Sequence, residues 1–217
     1  MKKLSFFGLG LMILLSSCFK EPKPEPTGPA NVRILNAVST SPPQDVYYNS
    51  NKMNIAPLGY GQVSAYQTIT SGPIYFGFTD NGSTVSNYEG AAAIKIGQHF
   101  TVIYFSTGGE AKNVGFLVDD MTAPPAGKAR VRFLNLNPLF VQKFSVKLQG
   151  GAVLTASLEF ANSNAYADVD PGAKFDLLAT GLVGETVVDA NIQAGKIYTI
   201  WFDGTTTQLT SHVILQN

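Results

Sequence analysis

The stretch FTVIYF at residues 100–105 is a strand-length run of aromatic and β-branched side chains, and IYTIWF at residues 197–202 repeats the pattern. Turn signals such as Asn81-Gly82, Gly150-Gly151 and Asp203-Gly204 recur along the chain. No window of helical length keeps an apolar stripe at helical spacing. Frequent short strands joined by tight turns predict an all-β protein, built as a sandwich or a barrel.

These two stretches belong to a longer internal repeat. VRILN at residues 32–36 recurs as VRFLN at residues 131–135, and GxxFTV from Gly97 recurs as GxxYTI from Gly195. Three further positions recur at an offset of 100: Tyr60, Tyr66 and Gly72 as Phe160, Tyr166 and Gly172. Because the anchors keep one order and a nearly constant offset, the sequence predicts two copies of one unit.

The repeat also predicts the domain boundaries. The first copy covers residues 30–121, a Pro- and Gly-containing linker covers residues 122–127, and the second copy covers residues 128–217. If the copies are true domains, fragments 30–124 and 126–217 should each fold, although strands exchanged between the copies would prevent this.

The opening V-R-hydrophobic-hydrophobic-N motif, the Asp45-Val46-Tyr47 strand and the late A-G-x-x-Y-T motif carry a family resemblance. From Ala30 to Asn217 the chain resembles domain of unknown function 4397, which occurs in exported bacterial proteins, many of them lipoproteins of Bacteroidota. The resemblance implies two tandem Ig-like antiparallel β-sandwich domains, and it brings no catalytic residues. The second copy has Ser145 in place of Asp45, so any role of Asp45 is confined to the first copy.

The N-terminus has the pattern of an export signal. Lys2 and Lys3 precede an apolar run at residues 4–15, and two small residues follow it. The run is shorter than the roughly 20 residues that a membrane-spanning helix needs. We therefore predict a signal peptide over residues 1–17.

LSSC at residues 15–18 resembles the bacterial lipobox, in which the cysteine receives a lipid and becomes the new N-terminus. Cys18 is the one cysteine of the chain, so the lipidated protein would have no thiol left for disulfides or zinc sites. The other interpretation is an ordinary signal peptide that contains a cysteine. Residues 18–29 then form the lipidated Cys18 and a Pro-rich stalk, and the membrane is a partner through the N-terminal lipid anchor. The expected location is the bacterial envelope, at the outer membrane, either periplasmic or surface-exposed.

The charge pattern argues against one class of partner. The chain has 15 basic and 15 acidic side chains, and charged residues make up 14% of it, against about 25% in typical soluble domains. No basic stripe is available to attract a phosphate backbone, so nucleic-acid binding is not expected.

No catalytic motif is present, and we predict no catalytic residues, no cofactor and no metal site. His99 and His212 are interpreted as ordinary surface histidines. The acid pairs Asp119-Asp120 and Asp168-x-Asp170 are interpreted as solvated turn charges. Calcium is the other interpretation, but it needs six or more oxygen ligands, usually from a dedicated loop.

The aromatic strands offer candidate ligand or interface residues. In the second copy, three large apolar groups share the face that should form the core: Tyr198, Ile200 and Phe202. The opposite faces of the two repeated strands carry three further apolar groups as candidate exposed residues: Ile103, Phe105 and Trp201. They form either a sugar-stacking platform or partner patch, or they are covered, by packing between the two domains or by partial burial under a loop.

The sequence thus favours a non-catalytic, envelope-anchored lipoprotein that acts as a binding or spacer module at the bacterial cell surface. A first alternative is a glycan-binding accessory lipoprotein of an outer-membrane uptake system, so that the partner is a glycan or an envelope protein. A second alternative, from another class, is a hydrolase with an unrecognised site.

Overall fold

The computed structural model describes residues 26–53, 56–184 and 186–217. The predicted signal peptide over residues 1–17, the lipidation at Cys18 and most of the stalk lie outside the described residues. Within the part of the chain that is described, no helix is long and apolar enough to span a membrane.

The described residues contain strands and no helix, so the all-β prediction is confirmed. In chain order the strands are β1 (Pro29–Ala37), β2 (Gln44–Tyr48), β3 (Asn51–Lys52), β4 (Gln67–Thr70), β5 (Gly72–Asp80), β6 (Ser86–Ile94), β7 (His99–Gly108), β8 (Ala111–Asp119), β9 (Ala129–Asn135), β10 (Phe144–Leu148), β11 (Val153–Leu158), β12 (Ala167–Val169), β13 (Lys174–Leu178), β14 (Val187–Asp189), β15 (Ile197–Gly204) and β16 (Leu209–Leu215).

Each half of the chain is a β-sandwich. The first half packs a sheet of order β4-β1-β7-β8 against a sheet of order β3-β2-β5-β6. Its core joins the two sheets, since Phe78 on β5 stacks on Tyr104 on β7 with ring centroids 4.7 Å apart. The second half has the corresponding sheets β12-β9-β15-β16 and β11-β10-β13-β14, and Phe133 on β9 packs against Phe175 on β13.

The register of the strands is also the same in the two halves. Arg33 on β1 pairs with Thr101 on β7, and Arg132 on β9 pairs with Thr199 on β15. Both pairs are parallel, so the predicted antiparallel sandwich holds except at these two pairs. A parallel pair needs a long crossover. The intervening strands of each half supply it. Strand β8 ends at Asp119 and β9 begins at Ala129; the exact domain boundaries and the separate folding of the two fragments stay predictions.

Strand β6 lies unusually close to the opposite sheet at Gly90. A Cβ atom on Gly90 would lie 2.8 Å from the Cβ of Val114 on β8, a distance that side chains essentially never adopt. Glycine at this position therefore lets β6 close the edge of the first sandwich. The neighbouring Glu89 then points to the outer side of the sheet, where it is exposed.

Candidate functional site

The two halves meet through an apolar cluster formed by the β1/β7 and β9/β15 sheets. The first half contributes Leu35, Ala37, Ile103 and Phe105, and the second contributes Leu134, Leu136, Trp201 and Ile214. We call these eight residues the junction cluster. Because its members come from both halves in equal number, the cluster is a shared core between two sandwiches.

The three candidate residues from the sequence all lie in the junction cluster. Trp201 is 0% exposed, Ile103 3% and Phe105 6%. The predicted strand faces are correct, since Tyr198, Ile200 and Phe202 lie in the core of the second sandwich. The expectation that the three candidates are exposed is wrong, because the other half of the chain covers them. Of the two interpretations left open by the sequence, the structure agrees with packing between the halves.

A buried carboxylate binds the two halves together beside this cluster. Asp119 at the end of β8 pairs with the guanidinium of Arg132 and accepts a hydrogen bond from Nε2 of Gln216 (2.9 Å), both from the second half. The same carboxylate accepts hydrogen bonds from the hydroxyls of Thr101 (2.7 Å) and Tyr66 (2.6 Å) of its own half. Burial and the adjacent Asp119 charge raise the pKa of Tyr66 far above its usual range.

The polar contacts across the junction are reciprocal. Nη1 of Arg33 in the first half donates to the carbonyl of Leu215 in the second (3.2 Å). Nη1 of Arg132 in the second half donates to the carbonyl of Val118 in the first (2.6 Å). The repeat thus pairs with itself as two identical subunits would in a two-fold interface. The symmetry breaks at Asp119, whose counterpart in the second half is Gln216. A second carboxylate, Asp203 of the second half, accepts a hydrogen bond from the hydroxyl of Tyr60 of the first half.

The other acidic pairs are engaged in ion pairs. Asp120 and Asp168 both contact Arg130, at 2.9 and 3.6 Å, and Asp170 contacts Lys128 at 2.7 Å. In the described ranges, no group of three or more His, Cys, Asp or Glu side chains is placed to hold a metal ion. The interpretation of the acid pairs as solvated turn charges is wrong for Asp119, because its side chain is completely buried against Arg132 of the second half.

A groove of about 720 Å³ lies on the outer face of the β3-β2-β5-β6 sheet. We call it the outer groove. Its centre is formed by four residues: Tyr47, Tyr75, Gly77 and Glu89. Gly77 lies opposite Tyr47 on one side and Glu89 on the other. Since glycine has no side chain, the floor of the groove is backbone between two tyrosines and a carboxylate.

Hydrogen bonds fix the hairpin between β5 and β6 that forms one end of the groove. Asp45 is buried, and its Oδ2 pairs with Lys52 at 2.8 Å and accepts the backbone N–H of Gly82 at 3.2 Å. On the other face, Asp80 accepts hydrogen bonds from the side-chain amides of Gln44 (2.8 Å) and Asn87 (2.7 Å), which lower the pKa of Asp80. The role of Asp45 is therefore structural and specific to the first half.

On the equivalent face of the second half, ion pairs occupy the positions that form the groove in the first half. Lys147 lies opposite Asp176 in the register that Tyr47 and Gly77 have in the first half, and their charged groups are 3.4 Å apart. Two residues before Asp176 on the same face, Lys174 lies opposite Asp189, with their charged groups 2.9 Å apart, where the first half has Tyr75. The same fold thus presents an aromatic groove in one copy and a charged surface in the other.

Sequence reasoning missed the four central residues of the outer groove. It used Tyr47 only as part of a family motif and passed over the stretch 74–78 altogether. The available signal was the difference between the two copies on one strand face, where Tyr47 becomes Lys147 and Gly77 becomes Asp176. That difference becomes visible only when the strand register aligns the copies.

Comparison with known proteins identifies a family and a few distant structural neighbours. Residues 30–142 match the family described as domain of unknown function DUF4397. No curated protein matches the sequence.

Among solved structures, the chain is similar to a carbohydrate-binding module of family 26 from Eubacterium rectale Amy13K in complex with maltoheptaose, at 9% identity and a TM-score of 0.27, over 88% of this chain and 98% of that one. The Bacillus anthracis TIE protein is similar at 13% identity and a TM-score of 0.26, over 82% of this chain and 34% of that one. An α-glucan-binding streptococcal virulence factor is similar at 12% identity and a TM-score of 0.24, over 80% of this chain and 93% of that one. Similarity this low carries no argument about a ligand.

Proposed function

The chain belongs to the family of domain of unknown function DUF4397, and from this premise we propose that it is a non-catalytic binding protein of the bacterial envelope. In this proposal the outer groove of the first sandwich holds the ligand. A lipid on Cys18 and the Pro-rich stalk tether the protein to the outer membrane, and the second sandwich supports the first through the buried junction.

The observation that carries this proposal is the contrast between the two outer faces. Tyr75 is 62% exposed in an open groove, although an aromatic side chain in water forgoes the free energy of burial. At the equivalent positions the second half has the ion pairs Lys147–Asp176 and Lys174–Asp189, which are typical of a solvated face. A protein that acts only as a spacer does not require the aromatic groove of the first half. A binding module requires a concave surface that combines apolar and polar groups.

The groove geometry favours binding without bond cleavage. Glycoside hydrolysis uses two carboxyl groups that face each other across the bond to be cleaved. Within the described lining of the outer groove, the one acid is Glu89, and it lies opposite Gly77. The carboxylate is therefore placed to accept hydrogen bonds from a ligand and has no acidic partner across the floor.

The anchoring part of the proposal makes a direct prediction. Cys18→Ala should abolish metabolic labelling with a palmitate analogue and move the protein from the membrane fraction to the soluble fraction, because the variant has no sulfur to accept the lipid. Ser17→Ala is the control, since it keeps a small residue beside Cys18 and should leave labelling and fractionation unchanged. If Cys18→Ala still sediments with membranes, the lipid anchor is refuted.

The binding part is tested by filling the floor of the groove. In Gly77→Val the new Cβ lies at ordinary contact distance, 3.7 Å from Cγ of Glu89 and 3.9 Å from Cβ of Tyr47, so the fold should tolerate it. Valine also favours strand conformation. The added branches occupy the space between the tyrosine and the carboxylate, and we expect at least a tenfold loss in retention of solubilised envelope material on the immobilised full chain.

The matched control is Asp176→Val at the equivalent position of the second half. It replaces one partner of a partly exposed ion pair, which changes stability by about 1 kcal/mol or less, and it should leave retention unchanged. Equal retention by wild type, Gly77→Val and Asp176→Val would refute the outer groove as the binding site.

A further inference from the structure

We propose that the ligand of the outer groove is a neutral glycan, one of whose sugar rings packs on Tyr75 while its hydroxyl groups bind Glu89 and Thr79. This inference rests on the proposed function and adds the chemical class of the ligand. Three features of the groove carry it: the placement of the tyrosines, an unsatisfied hydroxyl and the sign of the charge.

The two tyrosines form an aromatic surface on adjacent strands. Tyr47 faces Gly77 across the β2–β5 pair, and Tyr75 lies two residues before Gly77 on the same face of β5. Diagonal neighbours of this kind are about 7–8 Å apart in a sheet, and the glycine between them leaves the space above the floor open. A sugar ring has an apolar C–H face and a rim of hydroxyls, which matches an aromatic surface with polar groups at its edge.

The backbone of Tyr75 is held in place by Asn49. Its N–H donates to Oδ1 of Asn49 and its carbonyl accepts the N–H of Asn49, each at 3.0 Å. Asn49 adopts a left-handed conformation (φ 44°), which lets the chain turn back after β2 and reach both groups. The strand that carries the aromatic ring is therefore ordered before any ligand binds. Binding then loses less conformational entropy than it would at a mobile segment.

Thr79 supplies a polar group that lacks a partner. Its hydroxyl is buried at the groove, the residue is 6% exposed, and Oγ1 has no hydrogen-bond partner among the described residues. A buried hydroxyl without a partner is unfavourable and calls for an explanation, which a hydrogen bond from a ligand in the groove would supply. Together with the exposed Glu89 carboxylate it provides two groups that accept hydrogen bonds from hydroxyls.

The charge of the groove selects against acidic ligands. The described residues that line it include Glu89 and no lysine, arginine or histidine. An anionic polysaccharide or a phosphate would meet the Glu89 carboxylate, while Lys52, which lies opposite Tyr47, is already paired with Asp45. The ligand hydroxyls of a neutral sugar, in contrast, can donate directly to this carboxylate.

The sheet topology disfavours an extended peptide in the same groove. Peptides that bind to sheets commonly add a strand to an unpaired edge. The floor strand β5 is paired on both sides, with β2 and with β6, so its backbone groups are already used. A ligand in this groove must therefore be recognised by side chains, as sugars are in a binding site.

The test is a glycan array followed by calorimetry on the full chain purified in detergent. The array carries neutral oligosaccharides of glucose, mannose, galactose and xylose, chains of N-acetylglucosamine to represent the cell wall, and acidic uronate and sulfated chains. We expect binding to a neutral chain, and the bound sugar distinguishes a cell-wall source from an external polysaccharide. Tyr75→Ala should weaken the calorimetric affinity about tenfold or more, and Gly77→Val should abolish it.

Lys174→Ala is the matched control, because Lys174 of the second half is equivalent in position to Tyr75 of the first. The glycan affinity of this variant should stay within twofold of wild type. Binding that prefers acidic chains, or neutral binding unchanged by Gly77→Val, would overturn the sugar assignment. If no glycan binds but retention of envelope material still depends on Gly77, the ligand is of another class and the proposed binding function stands. If Gly77→Val changes neither assay, both proposals fail.

Discussion

Asp119→Ala should lower the free energy of unfolding by about 3–5 kcal/mol, because it leaves a buried arginine without its counter-charge. The carboxylate is completely inaccessible, pairs with Arg132 and lies 3.6 Å from Nε of Arg33. The substitution also removes one of the two side-chain acceptors of Nε2 of Gln216, leaving the hydroxyl of Thr199. The measurement is equilibrium unfolding in urea followed by circular dichroism.

The neighbouring residue provides the control. Asp120 is about half exposed and pairs with Arg130 at 2.9 Å, and hydrogen bonds from Thr122 lower the pKa of Asp120 to about 2. Exposed pairs of this kind contribute about 0–1 kcal/mol, so Asp120→Ala should cost no more than that. Similar losses for the two variants would show that Asp119 is not the main polar link between the halves.

Trp201→Ala should lower the free energy of unfolding by about 3–5 kcal/mol, since it removes the largest side chain of the junction cluster and leaves a cavity. Trp201 is fully buried and stacks on His212 with ring centroids 3.9 Å apart, while Tyr60 of the first half packs edge-on at 6.3 Å. Urea unfolding monitored by circular dichroism measures the change without relying on the lost indole.

Val213→Ala is the matched control for Trp201. It lies next to His212 on the same strand but is 45% exposed, so its truncation should cost about 1 kcal/mol or less. If Trp201→Ala were as mild as Val213→Ala, the halves would not be joined through this cluster. The structural explanation for the burial of Ile103 and Phe105 would then be wrong as well.

Much of the fold follows from local patterns in the sequence. Alternation along residues 197–202 predicts which side chains enter the core of the second sandwich, because a strand has a period of two. The internal repeat predicts that both halves share one unit, and their strand orders agree. The parallel pairing of β1 with β7 is not encoded in any such pattern, since it depends on where the chain crosses between sheets.

The functional surfaces were harder to predict for a physical reason. Ile103, Phe105 and Trp201 have the sequence pattern of an exposed apolar face, and only the presence of the other half decides that they are buried. The outer groove depends on Gly77, whose effect is the absence of a side chain between residues far apart in the sequence. Neither property can be recognised from periodicity in a single strand.

The proposal that the first sandwich, and not the second, carries the binding surface is tested most directly by hydrogen exchange on the wild-type chain. Exchange is measured by mass spectrometry, with and without the envelope material that the immobilised chain retains. We predict that added protection is confined to β2, the β2–β3 turn, β5 and β6, which surround Tyr47, Tyr75 and Gly77. Protection in β10 and β13 instead, or no change in β5 at saturation, would contradict this account.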